Sequence, residues 1–381
     1  MSPRDRLLTA LRGQRPDMQS VAPLYLGLYL AGPRHAARAR RWRERAEAAG
    51  GEVEVEYEDY LATELGMWWD GYGLFAELPD WLAVPVVRSP GAVQGSSVEV
   101  DETGCYWRSP QGVRTRLDGP FTDAAPPLWE AEAPPRTVAE VQARMPAVEA
   151  ERVIASGTYR LAEQLVAEVG ESYALHTSLS APYPAAYNLL GFSGLMVALR
   201  EQPGLVAAIA ERSLANSVAH ATAARHAGLD LIFVEQWACS ADLISPTDYL
   251  TLVWPFERDL CRELKRLGFR IVFYFCGSTE DRLEKLLELE ADALAFEESK
   301  KGWVIDLAEI RRRAGPERCL FGNLDAVRAR DLPAAPLTAG VHRLIDAIGP
   351  AAFVTSLGSP LTLDTPPAKL DIVMQAARSH R

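Results

Sequence analysis

Cysteines and long apolar runs are both scarce in this chain of 381 residues, and their scarcity excludes several classes of protein. The five cysteines are scattered and no two form a Cys-x-x-Cys pair, which argues against a disulfide framework or a zinc ribbon. No apolar run approaches the roughly 20 residues that a membrane helix needs. The first residues lack the basic start and apolar core of a signal peptide. We therefore expect a cytoplasmic protein without membrane contact.

The chain also has fewer positively charged than negatively charged residues. The chain has 40 lysines and arginines against 51 aspartates and glutamates, which gives a formal net charge of −11. A surface of this sign repels phosphate backbones and anionic lipid headgroups, so nucleic acid is not an expected partner. The hydrophobic fraction of 48% is typical of globular proteins and argues against a disordered chain. A small-molecule substrate is the partner that we expect.

Short apolar segments alternate with helical patterns from Ser172 onward. This alternation predicts a parallel sheet, because parallel neighbours need a crossover of a dozen or more residues. With two earlier candidates, the segments fit a closed (β/α)8 barrel of TIM type, and no Gly-x-Gly-x-x-Gly motif opens any helix. An open doubly wound sheet is the alternative. The six strand candidates are Tyr173–His176, Leu231–Val234, Arg270–Phe275, Ala293–Phe296, Cys319–Phe321 and Phe353–Ser356.

The first 150 residues differ from the rest of the chain in their sequence pattern. Arg4–Arg15 has the apolar spacing of a short amphipathic helix, and Val21–Leu30 is an apolar strand candidate. From about residue 86 to 135, short β-like pieces are broken by glycine, proline and serine, which predicts a β-meander. We therefore divide the chain into residues 1–150, with helical and β-meander additions and the first barrel elements, and residues 151–381, with the main barrel repeats.

Polar side chains follow the predicted strands at the end where barrels carry their catalytic groups. Loops are polar in most proteins, so any one of these residues has an ordinary explanation. Five consecutive strand ends converging on one mouth nevertheless predict a shared site. The strand ends are Glu235-Gln236-Trp237, Tyr274 to Gly277, Glu297 to Lys301, Gly322 to Asp325 and Leu357 to Ser359, with His176 from an earlier strand.

These strand ends, with several further segments, resemble the superfamily that unites uroporphyrinogen decarboxylases with corrinoid-linked, zinc-dependent methyltransferases. Ile244-Ser-Pro246 and Phe321-Gly-Asn-Leu-Asp325 are the most specific matching segments. The likeness spans nearly the whole chain, from the opening helix at Arg4–Gly13 through Val100–Arg108 to Asp364–Pro367. It implies a TIM-type barrel and an enzyme.

The decarboxylase branch is recognised by an Arg-Gln-Ala-Gly-Arg segment that grips substrate carboxylates and by a late Asn-Leu-Gly-His-Gly loop. Here Tyr29-Leu-Ala-Gly-Pro-Arg34 and Ser356-Leu-Gly-Ser-Pro360 stand in those places. The resemblance therefore leaves Arg34 as an anion clamp and puts Ser359 at the histidine position. These departures disfavour decarboxylation of a large porphyrinogen.

The methyltransferase branch has a zinc site made of His-x-Cys, a glutamate and a second cysteine. By this resemblance Cys276 and Glu298 are metal ligands, while Tyr274 stands at the histidine position and Ser359 at the second cysteine. A zinc ion would hold a substrate thiol as a thiolate that attacks a methyl group. The resemblance leaves open whether a corrinoid on a separate protein delivers the methyl group.

Three functions stay open at this point. Methyl transfer to or from a small thiol, a corrinoid or a similar acceptor is the first. A metal-independent decarboxylase or lyase acting on a small carboxylate is the second, and a ligand-binding relic of an enzyme is the third. A homodimer is compatible with all three. The predicted catalytic residues are Glu235, Tyr274 and Asp325, and the predicted substrate-binding residues are Arg34, His176, Gln236, Trp237, Asn323 and Ser359.

Overall fold

Eight short strands pair in parallel and form a barrel. The computed structural model describes residues 1–119, 129–300 and 302–380. The barrel strands are β1 (Ser20–Val21), β3 (Trp81–Ala83), β7 (Ala174–Ser180), β8 (Leu231–Gln236), β9 (Arg270–Phe275), β10 (Ala293–Phe296), β11 (Cys319–Phe321) and β12 (Phe353–Thr355). Their order is β1-β12-β11-β10-β9-β8-β7-β3. The predicted (β/α)8 fold is confirmed.

Helices surround this barrel in the described ranges. A π-helix, Tyr249–Val253, lies between α11 and α12. The α-helices are α1 (Pro3–Leu11), α2 (Leu26–Tyr29), α3 (Ala31–Ala48), α4 (Tyr57–Tyr72), α5 (Pro90–Val93), α6 (Val138–Arg144), α7 (Ala150–Ser156), α8 (Arg160–Val169), α9 (Pro184–Glu201), α10 (Pro203–His226), α11 (Pro246–Asp248), α12 (Trp254–Arg266), α13 (Leu283–Leu287), α14 (Leu307–Ala314), α15 (Ala326–Asp331), α16 (Ala334–Ile348) and α17 (Pro367–Ser379).

A second sheet lies within the N-terminal part of the chain. It is antiparallel, with the order β2-β4-β5-β6. Its strands are β2 (Glu52–Glu54), β4 (Ser97–Asp101), β5 (Gly104–Arg108) and β6 (Arg114–Arg116). Three of these four strands fall inside the predicted meander, and residues 120–128 of that prediction lie outside the described residues. The division at residue 150 stays a prediction.

One strand prediction is wrong in its length. The segment Val21–Leu30 was expected to be extended throughout, but β1 ends at Val21 and the chain turns at Tyr25 into α2. Tyr25 has a φ of 58°, the left-handed conformation that ends extended structure. An apolar run alone does not distinguish a strand from a buried turn of helix.

The barrel interior is filled by side chains at alternate strand positions. Successive side chains of a strand point to opposite faces, so Leu231 and Phe233 of β8 face inward while Ile232 and Val234 face the helices. Helix α1 adds Leu7 and Leu11 to the interior cluster and so covers the N-terminal end of the barrel. The strand residues of the interior cluster are Trp81, Ala174, Leu231, Phe233, Val272, Tyr274, Ala293, Ala295, Cys319, Phe321 and Val354.

Asp80 joins the two edge strands of the sheet. Its backbone N–H donates to Val21 O at 2.8 Å. Its carboxylate, which is fully buried, accepts from Ser20 Oγ at 2.8 Å and from Val21 N at 3.0 Å. Arg6 and Arg378 add ion pairs at 2.7 Å and 3.3 Å. The closure of the barrel therefore depends on one carboxylate.

None of the helices in the described ranges combines the length and the apolarity that crossing a lipid bilayer requires. The cytoplasmic location and the homodimer stay predictions.

We expect Asp80→Asn to destabilise the protein by about 3 kcal/mol, because it removes the buried counter-charge of Arg6 and leaves only the exposed Asp17, 3.5 Å away. Urea unfolding measures this loss. Asp346→Asn is the matched control, since Asp346 forms an exposed pair with His380 and its loss should cost less than about 1 kcal/mol. Equal unfolding midpoints for Asp80→Asn and Asp346→Asn would contradict the role given to Asp80.

Candidate functional site

Strand register brings four inward-facing side chains together at the C-terminal mouth of the barrel. Glu235 of β8 pairs directly with Tyr274 of β9, and Tyr274 pairs with Ala295 of β10. Two residues further along, Cys276 and Glu297 therefore meet, and the Cys276 Sγ donates to Glu297 Oε2 at 3.3 Å. The predicted convergence of strand ends is present for these side chains.

Lys300 lies between two nearly buried carboxylates. Its Nζ contacts Glu297 Oε1 and lies 3.5 Å from Glu298 Oε1 and 3.3 Å from Ser359 Oγ. The Ser359 hydroxyl donates to the Glu298 carboxylate. Burial disfavours the charge of Lys300, but the hydrogen bond to Glu297 and the attraction of both carboxylates raise its pKa. One ammonium thus compensates two carboxylates that are 5% and 8% exposed.

Gly358 lets the loop after β12 lie directly against Glu298. A Cβ at this position would lie 2.4 Å from Glu298 N and 2.6 Å from Glu298 Oε2. The carbonyl of Gly358 accepts a hydrogen bond from the Tyr274 hydroxyl at 2.8 Å. The close approach of the two loops therefore requires glycine, and it holds Ser359 within reach of Glu298.

Tyr25 belongs to the site, and the sequence analysis missed it. Its ring lies 5.2 Å from Phe233 and 5.3 Å from Tyr274, both edge-on. Its hydroxyl forms a hydrogen bond with Glu235. A non-glycine residue in the left-handed region is strained, and such strain clusters at functional sites. The prediction of one strand over Val21–Leu30 placed Tyr25 inside that strand, whereas β1 ends at Val21 and Tyr25 lies in the turn that follows.

Glu235 is poised between its two protonation states at neutral pH. Burial raises its pKa to about 7, although hydrogen bonds with Ser178 and Tyr25 act in the opposite direction. Ser178 lies two residues after His176 on β7 and is exposed, so solvent reaches this part of the mouth. A carboxyl group with a pKa near the working pH is suited to general acid or base catalysis.

The predicted zinc ligands do not fit a zinc ion in this arrangement. The Cys276 thiol donates a hydrogen bond to Glu297, and burial and this neighbour raise its pKa to about 12. Glu298 is held by Ser359 and Lys300, and burial raises the pKa of Tyr274 well above its ordinary value. Within the described ranges, no three His, Cys, Asp or Glu side chains gather so that they could hold a metal ion.

Two of the predicted residues lie deeper than the mouth or beside it. His176 stacks on Trp81 with ring centroids 4.1 Å apart, and burial lowers its pKa to about 3, so it is neutral. Trp237 packs edge-on against Tyr187 at 5.0 Å. These contacts place His176 in the barrel interior and Trp237 among aromatic neighbours.

Gln236 and Arg34 are directed to other parts of the fold. Gln236 follows the inward-facing Glu235 and therefore faces the helices, where its Nε2 donates to Glu257 at 2.7 Å. Arg34 lies on α3 and reaches Glu64 of α4, 3.9 Å away. Neither side chain joins the cluster of Glu235, Cys276 and Glu297.

The turn after β11 supports the site through hydrogen bonds to the backbone. Asn323 Nδ2 donates to Glu297 O at 3.0 Å and so fixes the loop that carries Glu297. Asp325 accepts from Arg328 N at 2.9 Å and is the N-cap of α15. The catalytic role of Asp325 stays a prediction, and the carboxylate is engaged at the helix end.

We expect Glu235→Gln to raise the free energy of unfolding above that of the wild-type protein, and to do so more at pH 8 than at pH 5. The folded-state pKa of about 7 exceeds the ordinary value of 4.5, so the wild-type protein loses stability as pH rises between these values. The glutamine variant lacks this loss and should be more stable at pH 8 by about 2 kcal/mol. Urea unfolding at both pH values measures the difference, with the exposed Glu168→Gln as control. The same difference in unfolding free energy between the wild-type protein and Glu235→Gln at both pH values would contradict the raised pKa.

Comparison with known proteins identifies the family. The family model of uroporphyrinogen decarboxylase (URO-D) matches residues 126–380. A uroporphyrinogen decarboxylase from Dechloromonas aromatica is 34% identical over 102 residues, which are 26% of each chain. One from Pelobacter propionicus is 30% identical over 169 residues, 44% of this chain and 46% of that one.

The chain thus spans between a quarter and a half of the length of these curated relatives. Among solved structures, a methyltransferase from Methanosarcina mazei shares the fold, with a TM-score of 0.67 and 14% identity over 99% of this chain and 98% of that one. Because the URO-D family model matches more than half of the chain, the protein belongs to the uroporphyrinogen decarboxylase family.

Proposed function

We propose that the protein is a metal-independent carboxy-lyase that removes CO2 from a small carboxylic acid. The observation that carries this proposal is the pair of Glu235 and Tyr25 at the solvent-accessible mouth, with the pKa of Glu235 near 7. A group of this kind supplies a proton to carbon at neutral pH. The curated relatives named above are uroporphyrinogen decarboxylases, which is consistent with this reaction class.

The proposed reaction needs one proton and no electron acceptor. The bond between the substrate carbon and its carboxylate breaks, CO2 leaves, and the electron pair stays on carbon. The protonated Glu235 then donates its proton to that carbon, and water restores the proton to Glu235. Tyr25 holds Glu235 in position through their hydrogen bond.

The charge of the mouth supports loss of a carboxylate. The carboxyl groups of Glu297 and Glu298 face the single ammonium of Lys300, so acidic groups outnumber the cation in this cluster. Loss of CO2 moves the negative charge of the substrate from its carboxylate to the carbon, and the proton from Glu235 then removes the charge from that carbon. Moving this charge away from the acidic cluster lowers the barrier relative to the bound substrate.

The mouth favours a small substrate over a porphyrinogen. A porphyrinogen carries many carboxylates, which need several cations to bind. Among the described residues, Lys300 is the cation that contacts the cluster, and its Nζ is already surrounded by Glu297, Glu298 and Ser359. Arg34 is engaged near Glu64 between α3 and α4.

Methyl transfer is the second candidate. It is favoured by the partly exposed Cys276 thiol, which lies at the same mouth with Glu297 as a proton acceptor 3.3 Å away. In this alternative a small thiol or a corrinoid on a separate protein exchanges the methyl group. It ranks second because a thiol with a pKa of about 12 is protonated at neutral pH.

We expect decarboxylation to depend on Glu235 and to persist in a chelator. Release of CO2 is measured over a panel of small mono- and dicarboxylic acids in D2O, with the product analysed by mass spectrometry. One deuteron per turnover should appear on the product carbon. Glu235→Gln should lower kcat by about 10²- to 10⁴-fold, and Tyr25→Phe by about tenfold.

Glu257→Gln is the matched control for this experiment. Glu257 is fully buried and burial also raises its pKa to about 7, but it faces Gln236 and Tyr249 behind β8, outside the barrel interior. Its variant should therefore keep the wild-type kcat. Methylated thiol products that disappear in chelator would instead favour methyl transfer, and tight ligand binding without turnover would favour the relic.

A further inference from the structure

Glu297, Glu298 and Ser359 form an oxygen-lined pocket around a single positive charge. The oxygens come from the loops after β10 and β12, and all three side chains lie close to one nitrogen, Lys300 Nζ. A sulfur atom completes the surroundings, because Cys276 Sγ lies 3.3 Å from Glu297 Oε2. Carboxylates, a hydroxyl and a thiol are the donors that divalent cations take in proteins.

We propose that Lys300 is a tethered cation that fills this pocket in place of a divalent metal ion and keeps metal ions out. The proposal goes beyond the carboxy-lyase function and does not depend on the substrate.

Electrostatics explains why the pocket needs a cation. Two ionised carboxylates that are nearly buried cannot remain charged side by side unless a positive charge compensates them. Lys300 follows Glu297 by three residues and Glu298 by two, so the same loop carries both the acids and their counter-charge. A metal ion entering the pocket would have to displace this ammonium.

The position of Lys300 also affects the surroundings of Cys276. With the ammonium bound to the carboxylates, Glu297 Oε2 is free to accept a hydrogen bond from the Cys276 thiol at 3.3 Å. With the ammonium removed, an incoming cation would attract the carboxylates and the sulfur together. The lysine therefore separates the hydrogen-bonded arrangement from a metal site built on the same residues.

The test compares zinc binding by the wild-type protein, Lys300→Ala and Lys300→Arg, using zinc alone as the probe. Isothermal titration and metal analysis after dialysis should show a zinc dissociation constant at least tenfold lower for Lys300→Ala than for the other two proteins. Lys300→Arg keeps the positive charge and should behave as the wild type. Lys285→Ala removes a surface lysine paired with Glu288 and is the control for loss of an ordinary ammonium.

Cobalt gives a second readout of the same pocket. Cobalt-loaded Lys300→Ala should show a thiolate-to-metal charge-transfer band, and the added Cys276→Ser substitution should remove it. If Lys300→Ala is unfolded without metal, refolding on addition of zinc supports the proposal, and failure to refold overturns it.

Stoichiometric zinc in the wild-type protein, bound as tightly as in Lys300→Ala, overturns the proposal as well. These experiments measure metal binding and not turnover. A negative result in the carboxy-lyase assay would therefore not affect the conclusion about Lys300.

Discussion

The hydrogen bonds and ion pairs of Asp80 close the barrel, and the functional site exists because the barrel is closed. Strands β1 and β3 are the two edges of the parallel sheet, and open edges expose unpaired backbone groups. Asp80 links them through Val21 and Ser20 while Arg6 compensates its charge. With the sheet closed, alternate side chains of every strand face one interior. Residues as distant in the chain as Tyr25 and Ser359 thereby reach the same mouth.

The mouth contains carboxyl groups in two different surroundings, and this difference organises its chemistry. Glu297 and Glu298 both contact the ammonium of Lys300. No cation contacts Glu235 in the described ranges, and burial raises its pKa to about 7. The carboxyl pair held by Lys300 lies after β10 and Glu235 lies on β8, with β9 between them. Carboxyl groups in different environments take different roles in acid–base active sites.

The resemblance to zinc-dependent methyltransferases was informative about the position of the site, and its zinc ion stays a prediction. Glu298 and Ser359 meet where the resemblance places two ligands, and they form a hydrogen bond. The same pocket contains Lys300, which the sequence placed only within the strand end Glu297 to Lys301. A lysine two residues from an acid is common on surfaces, and only the folding back of the loop shows that its ammonium is enclosed by three side chains. Local sequence does not encode which way a loop turns.

Much of the barrel could be predicted because its signals are local. The strands β9, β10 and β11 have the predicted bounds, since short apolar segments with polar ends are typical of buried parallel strands. The end of β1 was missed, because Val21–Leu30 is apolar in both the strand and the helix that it contains. The outward direction of Gln236 and the capping role of Asp325 depend on register and on helix starts, which one sequence specifies weakly.

The sequence by itself determined the parallel barrel and the set of strand ends that carry acids, because hydrophobic periodicity and polar interruptions are properties of neighbouring residues. Tertiary structure alone decided which of those side chains share one environment. Burial raised the pKa of Glu235, the loop after β12 brought Ser359 to Glu298, and the strained turn at Tyr25 placed a phenol beside Glu235. Desolvation and close approach arise between segments far apart in the chain, so the chemistry of the site is a property of the fold.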